Sequence, residues 1–192
     1  LHRVARRQRQ MCIRDRLLER IDTQHKEKMK VLIRTSEQEG WTKKQRKRQQ
    51  SNILPNIALY QVFIENEISK EKAKELVKAY SFHLAHKYHN ILKTMFIIPG
   101  FFRVFRFFMK TGMKGDEIWI SKIRSDNIRE CSMDVLKCLW ADTCKSFGCA
   151  EICEIFCLCD HIVFGNIDKL RFDRSQTLGM GGKKCDFCFK SR

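Results

Sequence analysis

Hydrophobic positions in the first half of the chain recur at three- and four-residue steps, the spacing of a helix face. Leu18, Ile21, Met29, Leu32 and Ile33 lay a thin apolar stripe on a polar helix over 17–39, which Gly40 ends. A second helix is predicted over 52–66, with Pro55 tolerated in its first turn. Ser69 caps a third over 70–95, whose expected buried stripe is Ala73, Leu76, Val77, Tyr80, Leu84, Tyr88, Ile91 and Leu92. The most hydrophobic stretch, MFIIPGFFRVFRFFM from Met95 to Met109, is broken by Pro99-Gly100 and two arginines. It is too short to span a bilayer and excludes stable membrane insertion. It reads as a short amphipathic helix covering a sheet, with Phe101, Phe105 and Phe108 inward and Arg103 and Arg106 outward. Membrane-surface binding is the alternative.

The pattern then changes. Segments 117–123 and 128–135 read as two strands joined by a turn at Ser125-Asp126-Asn127. Helical periodicity returns over 142–147, ended by Gly148, and over 149–164. Segments 170–178 and 185–190 form a last hairpin around Gly179, Gly181 and Gly182. Helices, hairpin, two helices, hairpin: this order predicts an α+β fold, a helical N-terminal half packed on a four-stranded antiparallel sheet. Within it, 17–50 reads as an N-terminal helix and basic linker and 51–192 as one domain.

Chemistry concentrates between Cys138 and Cys188, which holds eight of the ten cysteines. On the helix over 149–164, Ile152, Ile155, Phe156, Cys159 and Val163 make an ordinary buried face. Cys153, Cys157, Asp160 and Phe164 recur at the same steps, rotated by about 100°. A carboxylate at the margin of a buried face needs a partner, because an unpaired buried charge is costly. Read blandly, the thiols are small core residues and Asp160 is solvated. On the last strand, Cys185 and Phe187 share one face, Asp186 and Cys188 the other.

Two zinc arrangements come into question. Cys157, Cys159, Cys185 and Cys188 have the right count, but residues two apart on a helix diverge by about 200°, and a structural C-x-x-C usually sits on a turn. Cys138, Cys157, Asp160 and Cys185 form a second set that spacing leaves open. His83, His86 and His89 recur at three-residue steps without a carboxylate at a helical zinc spacing, and read as surface or packing residues.

The formal charge of +16 invites a nucleic-acid reading until its source is examined. Arg6–Asp15, RRQRQMCIRD, matches the translation of a transposon-based sequencing adapter, and residues 1–16 read as an assembly artefact. Setting aside its six arginines and one aspartate lowers the formal charge from +16 to +11. That charge favours anionic ligands. The basic run KKQRKRQQ at 43–50 has no interleaved aromatics and reads as a solvated helix face or linker, so no nucleic-acid partner is expected. The nine cysteines left are not an even disulfide framework and suit a reduced, cytoplasmic chain.

The C-terminal residues resemble the L-2-amino-thiazoline-4-carboxylic acid hydrolase family. The matching positions are Cys138, Gly148, Glu151, Cys157, Asp160, Arg174, Thr177, Leu178, Gly182, Cys185, Asp186 and Phe187. PNIALYQVFIENEISKEKA and IPGFFRVF also look like the family's helical half, so the resemblance runs from about Asn52 to Lys190. It departs in extra cysteines (Cys144, Cys149, Cys153, Cys159, Cys188) and in Lys183-Lys184. The resemblance implies a bacterial-type hydrolase that opens a cyclic amidine to N-carbamoyl-cysteine, acting on a small-molecule substrate without a cofactor. It implies Cys157, Asp160, Cys138 and Cys185 as catalytic residues and Arg174 and Thr177 as substrate-binding ones. The reaction needs a nucleophile, a carboxylate for the amidine nitrogens and an acid for the leaving thiolate. Asp160 suits the amidine, Cys157 the attack or proton donation, and Arg174 a bidentate grip on the substrate carboxylate. A non-catalytic cysteine-rich binding module for a small molecule or metal is the competing class.

Overall fold

The computed structural model describes residues 2–115 and 117–192, with side chains from residue 15 onward. The helices are α1 (His2–Gln38), α2 (Lys43–Asn52), α3 (Leu54–Glu65), α4 (Lys70–Met95), α5 (Phe101–Met113), α6 (Leu139–Ser146) and α7 (Cys153–Phe164). The strands are β1 (Trp119–Asp126), β2 (Glu130–Cys138), β3 (Leu170–Asp173) and β4 (Cys185–Ser191). The fold is α+β, and both hairpins lie in one antiparallel sheet of order β1-β2-β4-β3. The hairpins join through β2 and β4, where Met133 pairs with Phe187 and Val135 with Cys185.

Strand alternation decides which side of the sheet is covered. Cys131, Met133 and Val135 of β2 and Cys185, Phe187 and Phe189 of β4 are buried together. Against them pack Phe102, Phe105 and Met113 of α5 and Phe164 of α7. Phe105 and Phe164 both meet the Phe189 ring edge-on, at 5.2 and 5.0 Å between centroids. The helical half has a separate core, in which Leu32, Ile53, Ile57, Ala73, Val77, Ile152 and Ile155 meet. Trp119 is packed against both cores.

Four details depart from the sequence pattern. The first hairpin turns at 127–129, where the Asn127 carboxamide oxygen accepts the amides of Arg129 and Glu130, so β2 runs on to Cys138. The second departure is in α4, whose buried residues are Ala73, Val77, Ser81 and Ala85. Leu76, Tyr80, Tyr88 and Ile91 are exposed instead. The inward face is thus made of small residues, one of which, Ser81, bonds Asn56 of α3. Third, α5 is turned so that Phe102 is buried while Phe108 is 66% exposed. Fourth, β3 stops at Asp173, well before residue 178, because the loop after it is tied to Asp186.

The basic run is not a linker. It forms α2, with a capping box between Thr42 and Gln45. Gln49, fully buried, accepts from the Ser36 hydroxyl (2.6 Å) and donates to Thr143 (3.0 Å), tying α2 to α1 and α6. Among the described residues no helix is long and apolar enough to cross a membrane.

Among the described side chains of α1, those packed on the core are Met29, Leu32 and Ile33. We propose, from the adapter match of their sequence, that residues 1–16 are foreign to the fold. Deleting them is expected to leave the melting temperature within about 1 °C, read by thermal denaturation; a drop of several degrees would show a structural role.

Candidate active site

The cavity of interest lies where α4, α5, α6, α7 and the sheet meet. It encloses about 550 Å³, and Cys138, Cys157, Asp160, Arg174 and Cys185 all line it. The elements explain the convergence. Cys138 ends β2 and stands at the N-cap of α6. Cys157 and Asp160 are one turn apart on α7. Cys185 begins β4 on its buried face, and Arg174 follows β3.

Arg174 is the fixed point. Its side chain is only 2% exposed. The guanidinium lies 5.7 Å from the Phe172 ring centroid and 5.2 Å from that of Phe187. Nη1 donates to Asp160 Oδ2 at 2.5 Å, and Nη2 donates to the Cys157 carbonyl at 2.6 Å. These bonds use two of the five guanidinium N–H groups, and through them Arg174 orients Asp160 and braces the middle of α7.

Asp186 in turn fixes the loop that carries Arg174. It accepts the amides of Ser175 (3.0 Å) and Gln176 (2.9 Å) and the Ser175 hydroxyl (2.5 Å). Burial works to raise its pKa, but these bonds outweigh it and hold the carboxyl below the usual range. The same loop brings Thr177 in, 3% exposed and behind the cavity wall. Its hydroxyl stands near enough to the Cys157 thiol to favour thiolate, yet meets no partner at hydrogen-bond geometry among the described residues.

Electrostatically, the site is a cavity of neutral thiols around one carboxylate. Burial pushes Cys138 up to about 12, against the helping amides of Ala141 and Trp140. Burial also takes Cys185 to about 11, although the Leu178 amide donates to its sulfur at 3.2 Å. Cys157 is raised furthest, first by its neighbour Cys153 and then by burial. Burial lifts Asp160 to about 6, even with Arg174 pulling it down. A third of its side chain is open to the cavity, where water reaches it and offsets part of the desolvation.

Sequence reasoning missed three parts of this site. Cys153, assigned only to the helix edge, lines the cavity with Cys157. Gly179, read only as a turn residue, lies against both thiols. A Cβ there would stand 2.6 Å from Cys153 Sγ and 2.7 Å from Cys157 Sγ. Trp119 and Trp140 stack at 5.2 Å and 6° between planes in the cavity wall, in strand and helix segments with no pattern to pair them. Other candidates lie elsewhere. His83 and His86 are exposed, and His89 bonds the Val163 carbonyl at 3.2 Å. The nine cysteines with described side chains are all free thiols. No group of three or more His, Cys, Asp or Glu among the described residues is placed to hold a metal ion.

Fold and cavity together define a small α+β protein with a buried, thiol-lined site built around one arginine-held carboxylate. The chain belongs to the L-2-amino-thiazoline-4-carboxylic acid hydrolase family, whose sequence profile matches residues 45–189. That span contains most of α2 and every residue of the site. A comparison with curated proteins finds no match.

Proposed function

We propose that the protein is a hydrolase that opens a cyclic amidine, L-2-amino-thiazoline-4-carboxylic acid or a closely related small ring, to the N-carbamoyl thiol. The observation that carries this reading is Asp160, the one acidic side chain among the described residues of the cavity wall, held by a buried arginine and facing a cluster of thiols. A planar amidinium offers two N–H groups. Asp160 Oδ2 is engaged by Arg174, which leaves Oδ1 to receive the substrate.

The resting thiols are protonated, so attack requires ionisation in the complex. An amidinium docked on Asp160 brings positive charge beside Cys157 and lowers the cost of its thiolate. Cys157 gives its proton to Asp160 and its sulfur bonds the amidine carbon. The ring carbon–sulfur bond breaks, and the leaving sulfur takes the proton back. Water then adds to the same carbon and displaces Cys157, which regains its proton, so the net change is addition of one water. Cys138 and Cys185 complete the wall around the reacting carbon. The neutral, partly apolar surroundings strengthen the charge contact at Asp160.

The test is an assay of purified protein with the thiazoline acid across pH. Product with a free thiol and a carbamoyl group is expected. The ratio kcat/KM should fall about tenfold per pH unit below an apparent pKa near 6, because protonated Asp160 cannot hold the amidinium. Stability runs the other way. The folded pKa lies above the ordinary value of 3.8, so Asp160 favours the fold least above pH 6 and most below pH 4. Binding without turnover would identify a non-catalytic module; a flat profile between pH 5 and 8 would remove Asp160 from the role.

A further inference from the structure

Between Glu75 and Asp116 lie forty residues with seven lysines or arginines and no acidic side chain. The fold places six large apolar side chains of this segment in solvent: Tyr88 and Ile91 on α4, Ile97 and Ile98 in the turn that follows, Phe107 and Phe108 on α5. Each is 58–68% exposed. This is the outcome of the turned α5. Its inner face is spent on the sheet through Phe102, Phe105 and Met113. Phe107 and Phe108, edge to face at 5.8 Å, therefore form a second apolar face pointing away from it. Exposed apolar surface on this scale marks an interaction site.

Charge identifies the occupant. Asp126 engages Arg106 (3.4 Å) and Lys110 (2.5 Å), so the charge presented outward comes from Lys87, Lys93, Arg103 and Lys114, all exposed. A second copy docked through the same face would set these cations against themselves, since a two-fold interface is self-complementary. A surface of negative charge over an apolar layer suits the face instead. We propose that this face docks on the surface of an anionic lipid bilayer. Ile97, Ile98, Phe107 and Phe108 enter the headgroup region while Arg103 and Lys93 pair with lipid phosphates. Tyr88 and Phe108 also line the cavity, so docking sets its rim against the lipid. The inference is independent of the reaction proposed above.

Co-sedimentation of the full chain with phosphatidylcholine vesicles containing about 30% phosphatidylglycerol tests it, with phosphatidylcholine alone as reference. Binding to the anionic vesicles is expected, weakening at least about tenfold between 50 and 500 mM salt. Phe107→Ser with Phe108→Ser should lower it at least about tenfold as well, with the melting temperature retained, because both rings lie outside the core. This variant keeps every charge, the arginines of residues 1–16 included, so it separates docking from adsorption of a cationic chain. Failure to bind anionic vesicles at low salt would overturn the proposal, as would binding unchanged in the double variant. Self-association lost in that variant, without vesicle binding, would assign the face to a second copy.

Discussion

Asp160→Asn lowers kcat/KM for the thiazoline acid by about 10²–10³-fold, the size of effect seen when one charge-stabilising group is removed from a buried site. The substitution keeps the shape and an oxygen for Arg174 but removes the charge that pairs with the amidinium. It also leaves the Arg174 guanidinium, 2% exposed, without its counter-ion. Loss of the counter-ion costs stability, while removing a carboxylate that burial disfavours restores some, so the two contributions to the melting temperature oppose each other while activity is lost. Activity and stability separate by pH. Wild-type activity climbs through pH 6 as Asp160 ionises, whereas the residual activity of the variant has no such limb. Steady-state kinetics on folded variant, verified by circular dichroism, decides the matter. Activity within threefold of wild type would remove Asp160 from the mechanism.

Gly179→Ala has the second large effect, and its cause is space. The added methyl would lie within 2.7 Å of both the Cys153 and Cys157 sulfurs. No φ strain enters, so the cost is overpacking, about 1–3 kcal/mol of stability. The thiol of Cys157 must move to admit the methyl, and activity should drop with it by about tenfold or more. Adding Cys153→Ala opens room on one side. The double variant should recover much of the stability but little of the activity, because the contact with Cys157 remains. Thermal melts and kcat/KM on both variants check this; full activity in Gly179→Ala would show that Cys157 has freedom the packing denies.

The fold was legible because its layers rest on periodicity. Alternation in β4 separated Cys185 and Phe187 from Asp186 and Cys188, and the burial follows it. Helix orientation was less legible. In α4 and α5 apolar residues occur on more than one face, so the sequence gives no unique answer to which side turns inward. Packing decided for the small face of α4, which turns Ala73, Ser81 and Ala85 inward. Of the site, Cys157 and Asp160 were visible as one helix edge, and the family pattern added Cys138, Arg174 and Cys185. The bonds of Arg174 to Asp160 and the α7 backbone were not visible, because they depend on a loop whose path is set by Asp186 across the hairpin. Gly179 escaped for a similar reason: a missing side chain matters only once the neighbours it admits are known.

Trp119 touches both hydrophobic cores, and the cavity is walled from both sides of that divide, by Cys153 and Phe156 on the helical side and Val135 and Phe187 on the sheet side. The site is thus a seam between two packing units and does not lie within either. A ligand seated there acts as a keystone, touching stones from both units at once. Its grip depends on how the two units are seated, so a change deep in either core is felt at the thiols without any atom of the site being altered.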